Sequence, residues 1–141
     1  MPLRGSLFAV ILAICITGCS EPIEHNKDLA VKRAVEFAEL VFVKQDFDKG
    51  YEQMSGKAKA YIPLDIFKDA MSRLHPDGYP RTVRANGYQE EAEQNKVYVV
   101  VKGKNGGREF DYLLTLLGTA QTDYKVTIVK RSGFASSMGL E

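Results

Sequence analysis

A chain of 141 residues, 45% apolar and 26% charged, has room for one ordinary core and is too apolar for a disordered polymer. Lys and Arg number 19 against 18 Asp and Glu; Arg4 is the only charge before Cys19, so the rest of the chain balances at 18 against 18. That neutrality argues against nucleic acid as a partner and against electrostatic docking on anionic lipid.

The first eighteen residues read as an address. Arg4 precedes an apolar run from Leu7 to Ile16, too short for the roughly 20 residues a helix needs to span a bilayer. A charged start, an apolar middle and small exit residues have the layout of a secretory signal. Ile16-Thr17-Gly18-Cys19, directly after the run, resembles the lipobox of bacterial lipoproteins. The resemblance implies cleavage before Cys19, lipid on that residue and a membrane partner reached through it. Each buried methylene contributes about 0.8 kcal/mol, so several acyl chains hold essentially permanently. Ser20 stands where some lipoproteins carry an Asp that retains them in the inner membrane, which, in an organism that has an outer membrane, points to that membrane, facing the periplasm. The expected division is a signal peptide at 1–18, a lipidated tether at 19–27, an α+β domain at 28–132 and a tail at 133–141. The only cysteines, Cys15 and Cys19, precede the domain, so neither a disulfide framework nor a thiolate zinc site is expected in it.

His25 falls in the polar tether and is expected to be solvated. From Asp28 the pattern changes. Val31, Ala34, Val35, Ala38, Val41 and Phe42 recur at three- and four-residue steps, which predicts an amphipathic helix over 28–45, capped by Asn26 or Asp28. Asp46-Phe47-Asp48-Lys49-Gly50-Tyr51 predicts a turn and a short second helix as far as Met54. It is not an EF-hand loop, because the Gly comes one position early and Lys57 stands where the terminal Glu belongs. Pro63 opens a third helix with an apolar stripe of Ile66, Phe67, Ala70, Met71 and Leu74, stopped by His75-Pro76-Asp77-Gly78. His75 there is expected to serve the helix dipole in its protonated form.

The remainder alternates as strands, over 82–90, 96–102, 108–117 and 124–130. The third carries Phe110, Tyr112, Leu114 and Leu116 on one face and Asp111 on the other; the fourth carries Tyr124, Val126 and Ile128 on one face. A hairpin loop at 103–107 and a short connection at 118–122 force antiparallel neighbours. Helices followed by a meander give an α+β fold, with the helices packed on one face of a four-stranded antiparallel sheet.

This element order, with D-F-D-K-G-Y at 46–51 and G-Y-P-R-T-V at 78–83, resembles the NTF2-like, cystatin-like superfamily over about 28–131. The resemblance implies a curved sheet that wraps the helices as a cone. The chain departs from many such proteins in having no tryptophan. The superfamily holds enzymes, ligand carriers and assembly domains, so fold alone decides nothing about function. Its enzymes pair Asp or His with Tyr in the mouth of the cone. Tyr88, Tyr98, Phe110, Tyr112 and Tyr124 are the residues expected to line such a pocket, against the competing reading that strand aromatics are core. No tuned base is recognisable, and no cofactor or metal site is expected. The expected function is therefore non-catalytic: an envelope lipoprotein whose domain binds a partner protein or a small apolar ligand. The alternative is an isomerase-, dehydratase- or hydrolase-type enzyme.

Overall fold

The computed structural model describes residues 22–91 and 93–133. The signal peptide expected at 1–18, Cys19 with its lipid, and the tail beyond Gly133 lie outside the described residues.

Helix α1 (Lys27–Ala38) starts at Asn26, whose side-chain oxygen accepts from the Leu29 N–H at 3.0 Å. Ala30, Ala34, Phe37 and Ala38 form its buried face, and three alanines let the helix backbone approach the sheet closely. The helix expected over 28–45 does not stay regular to its end. Glu39–Val43 is a π-helical turn, in which the Lys44 N–H reaches back five residues to the Glu39 carbonyl at 2.9 Å. The Asp46 N–H then closes on the Leu40 carbonyl at 2.8 Å, across Gln45 at φ +54°. This is a widened form of the left-handed helix stop, with Gln where Gly is usual.

Asp46 caps α2 (Phe47–Glu52) by accepting from the Lys49 N–H at 3.3 Å, so the Asp-rich motif serves to begin a helix. A Cβ on Gly50 would overlap Val41, and glycine here lets α2 pack onto the π turn. A further helix, α3 (Gly56–Tyr61), was not expected. It is capped by Ser55 and buries only Ala58, too little for a periodicity to register. Pro63 stands at the cap of α4 (Leu64–Arg73). Phe67, Met71 and Leu74 are buried as expected, but Ile66 lies outside the stripe at 48% exposed.

Four antiparallel strands follow in the order β1 (Thr82–Glu90), β2 (Lys96–Asn105), β3 (Arg108–Thr119) and β4 (Asp123–Arg131), forming an open sheet. The expected loop at 103–107 narrows to Gly106 and Gly107, because β2 pairs as far as Asn105 with Arg108. Two bulges reset the faces. In β1 the bulge at Asn86 lets Val83, Ala85 and Tyr88 share the inner face, opposite Gly103, Val101 and Val99. In β4 the extra residue is Thr127, so Tyr124, Val126 and Val129 point inward. Ile128, expected on that face, turns outward beside Thr115.

The core joins the inner residues Val97, Val99, Val101, Phe110, Tyr112, Leu114 and Leu116 to Phe37, Phe42, Phe67 and Met71 from the helices. Phe67 and Met71 of the third predicted helix, now α4, lie in the same buried cluster as the even face of β3, where Phe67 meets Phe37, Phe47 and Tyr51. Asp111 faces the other way, paired with Lys102 at 3.4 Å. The outer edge of β4 is covered locally, since the Ser55 N–H donates to the Val126 carbonyl (2.7 Å) and the Val126 N–H to the Gln53 carbonyl (3.0 Å). β1 has β2 on one side and no strand on the other among the described residues.

Candidate functional site

The five aromatic residues expected to line one pocket are divided among four places. Tyr112 and Phe110 lie buried at one end of the inner face, and Tyr124 lies buried in β4, held to the chain preceding α1. Tyr88 stands half-buried at the rim, with its hydroxyl on Glu90 at 3.0 Å and the Lys27 amine over its ring at 5.8 Å. Tyr98 is on the outer face, opposite Thr115, and donates to Glu91 at 2.8 Å. The first three residues are core rather than lining.

The histidines also depart from expectation. His25 is not free in a tether. Its Nε2–H donates to the Gln94 carbonyl at 2.8 Å, and its Nδ1 accepts from the Tyr124 hydroxyl at 3.1 Å. That hydroxyl in turn accepts from the Asn26 N–H at 2.9 Å, so residues 25 and 26 pin the start of α1 to β4. Arg33 adds a two-point pair with Asp123 at 2.9 and 3.0 Å, which draws the Asp123 carboxyl below its usual range.

His75 is 5% exposed. Its Nδ1–H donates to the Met71 carbonyl and its Nε2 accepts from the Tyr112 hydroxyl, both at 2.7 Å. One partner is a carbonyl, which can only accept, so the tautomer is fixed. Tyr79 stacks on the imidazole at 4.3 Å, and Phe42 stacks on Tyr112 at 4.0 Å. Burial lowers the His75 pKa, opposed by the Met71 hydrogen bond, and burial raises that of Tyr112. His75 therefore does not serve the α4 dipole as a cation. Arg131 does so, donating to the Leu74 carbonyl at 2.6 Å and lying over the Phe110 ring at 4.5 Å. Asp77 receives the same guanidinium at 2.7 and 2.9 Å, and that bond draws its carboxyl down to about 2.

This His–Tyr–Arg–Asp cluster has the composition of an acid–base site but not the access. Each ring nitrogen of His75 is engaged by a protein group, and a substrate proton has no path to it without breaking one of those bonds. Among the described residues, every fully buried side-chain nitrogen and oxygen has a hydrogen-bond partner.

The surface offers a different feature. A cleft of about 340 Å³ opens between the π turn and the start of β1, lined by Glu39, Val43, Lys44, Arg81, Thr82 and Val83. Opposite charges share it, yet Glu39, Lys44 and Arg81 form no side-chain hydrogen bond or ion pair among the described residues. No sequence motif pointed to it. The helix stop that shapes one wall is a π turn with a left-handed Gln45, and neither leaves a mark in residue periodicity. Comparison with protein-family models, with curated proteins and with solved structures finds no match to this chain.

Proposed function

We propose that this chain is an envelope lipoprotein, held by lipid on Cys19 to the outer membrane facing the periplasm, whose NTF2-like, cystatin-like domain recognises a partner protein at its surface without catalysis. The observation that carries this reading is the filling of the inner face of the sheet. A small apolar ligand would need a hollow between helices and strands, and Phe37, Phe42, Phe67 and Tyr112 occupy that space. An enzyme of this superfamily would need an accessible acid–base pair, and the pair present, His75 with Tyr112, is buried and fully bonded. Recognition is left to the exterior, where charged groups with no partner among the described residues gather beside an edge strand.

The test is photocrosslinking in living cells with the full lipidated chain. A photoreactive residue is placed at Arg84 on β1, at Leu113 on the outer sheet face, or at Ile66 on α4. A discrete protein adduct in the envelope fraction from at least one position, lost when Cys19→Ser blocks anchoring, is expected. Adducts with lipid alone, or no adduct from any position, would overturn the proposal.

A further inference from the structure

The cleft opens at one end of the seam where α1 and the π turn pack beside β1. Lys27, Val31, Val35, Glu39 and Val43 follow at four-residue steps along one side of α1 and the π turn. At the start of this stripe the Lys27 amine lies over Tyr88, and at its end Glu39 and Val43 face Val83 across the cleft. The stripe therefore runs along β1, antiparallel to it, from Tyr88 to Val83. Its valines are only half-buried, as are Val83, Ala85 and Tyr88 opposite, whereas the inner residues of β2 are buried. The seam is lined by half-buried apolar side chains, β1 beside it has no second strand neighbour among the described residues, and at the cleft Lys44 and Arg81 join Glu39 in the lining.

Two further observations fall at the cleft. The π turn and left-handed Gln45, which shape its helical wall, are features that cost backbone energy and gather at functional sites. Among the described residues the two cations there have no ion-pair partner, although Glu39 shares the cleft. A guanidinium and an ammonium lining one cleft are suited to a carboxylate. An edge strand beside a seam of half-buried apolar side chains is suited to an extended backbone.

We infer that the β1 edge and the cleft bind the extended C-terminal segment of a protein, added antiparallel to β1, with its terminal carboxylate held by Arg81 and Lys44. This rests on the reading of the domain as a recognition module and names the site and the kind of partner. From Tyr88 to Thr82 the strand takes about six peptide residues at roughly 3.3 Å each. Val43 and Val83 seat a small apolar side chain near the carboxylate. Glu39 accepts from a donor side chain within the last two positions.

The experiment uses the full chain in detergent and a bead-displayed hexapeptide library, made once with free C-termini and once amidated. Charge-assisted bonds to the carboxylate predict retention of free over amidated peptides by at least about tenfold. The double variant Lys44→Gln, Arg81→Gln is expected to bring that ratio to about one with an unchanged melting temperature, as exposed substitutions allow. Glu39→Gln is expected to keep the carboxylate requirement and lose the preference for a donor residue. Selected peptides methylated on alternate backbone nitrogens should bind more weakly, a result independent of any protein variant. Equal retention of amidated peptides, undiminished selectivity in the double variant, or tolerance of N-methylation at every position would each overturn the inference. The crosslinking experiment separates the two claims: adducts at Leu113 or Ile66 without one at Arg84 would leave surface recognition standing and remove this site.

Discussion

His75 and Tyr112 meet inside the core, ring nitrogen to hydroxyl at 2.7 Å, and each supplies the other's polar partner. Tyr112→Phe keeps the ring stacked on Phe42 and removes only the hydroxyl. The Nε2 acceptor is then buried without a donor. A loss of about 1–3 kcal/mol is expected, read from urea unfolding of the full chain. A neutral result would mean that water replaces the hydroxyl.

The same cluster sets a pH dependence. Burial places the His75 pKa below its ordinary 6.5, so the unfolded chain binds the proton more readily than the folded one. The stability from neutral His75 is complete above about pH 6.5 and falls as the pH drops below it. Asp77, drawn down to about 2 by Arg131, contributes stability that is present above its ordinary 3.8 and lost as the pH falls toward 2. Thermal melting from pH 8 to pH 2 should therefore decline in two stages. His75→Gln should flatten the upper stage and leave the lower one. An upper stage that persists in the variant would assign it to another group.

Leu114 and Asp111 lie three residues apart in β3 on opposite faces. Leu114 is fully buried, and Leu114→Ala should cost about 2–5 kcal/mol. Asp111 is half-exposed and pairs with Lys102 at the surface, so Asp111→Ala should cost under about 0.5 kcal/mol. Equal losses in urea titrations would reverse the assigned faces.

Gly118 ends the inner face of β3 at φ +151°. A Cβ there would run into the Asp123 backbone across the β3–β4 turn. Neither the backbone angle nor the space admits a side chain, so Gly118→Ala should destabilise by more than about 1 kcal/mol. Gly56→Ala, where a Cβ meets nothing within 4 Å, is the control and should not destabilise in the same melting assay.

Cys19→Ser should abolish incorporation of a labelled fatty acid and release the protein from the envelope fraction. The motive is Ile16-Thr17-Gly18-Cys19 at the end of the apolar run. Label retained by the variant would refute lipid attachment at this residue.

Residue periodicity determined most of the frame. The 3.6-residue stripe of α1, the two-residue alternation of β3 and the short connections were enough to read helices packed on an antiparallel meander, because those patterns are local consequences of burying one face. What the alternation did not carry was where it slips. The bulges at Asn86 and Thr127 depend on which residues of the neighbouring strand they oppose, and they decide that Tyr88 turns in and Ile128 turns out. The helix α3 escaped notice because six residues burying one alanine leave no stripe. The histidines were misread for a related reason. His75 looked like an exposed helix end until Tyr112, thirty-seven residues later, and Arg131 from the last strand closed over it. The cleft was further still from the sequence, since Glu39, Lys44 and Arg81 share no motif. A π turn and an edge strand bring them together, and only long-range packing decides that those two elements are neighbours.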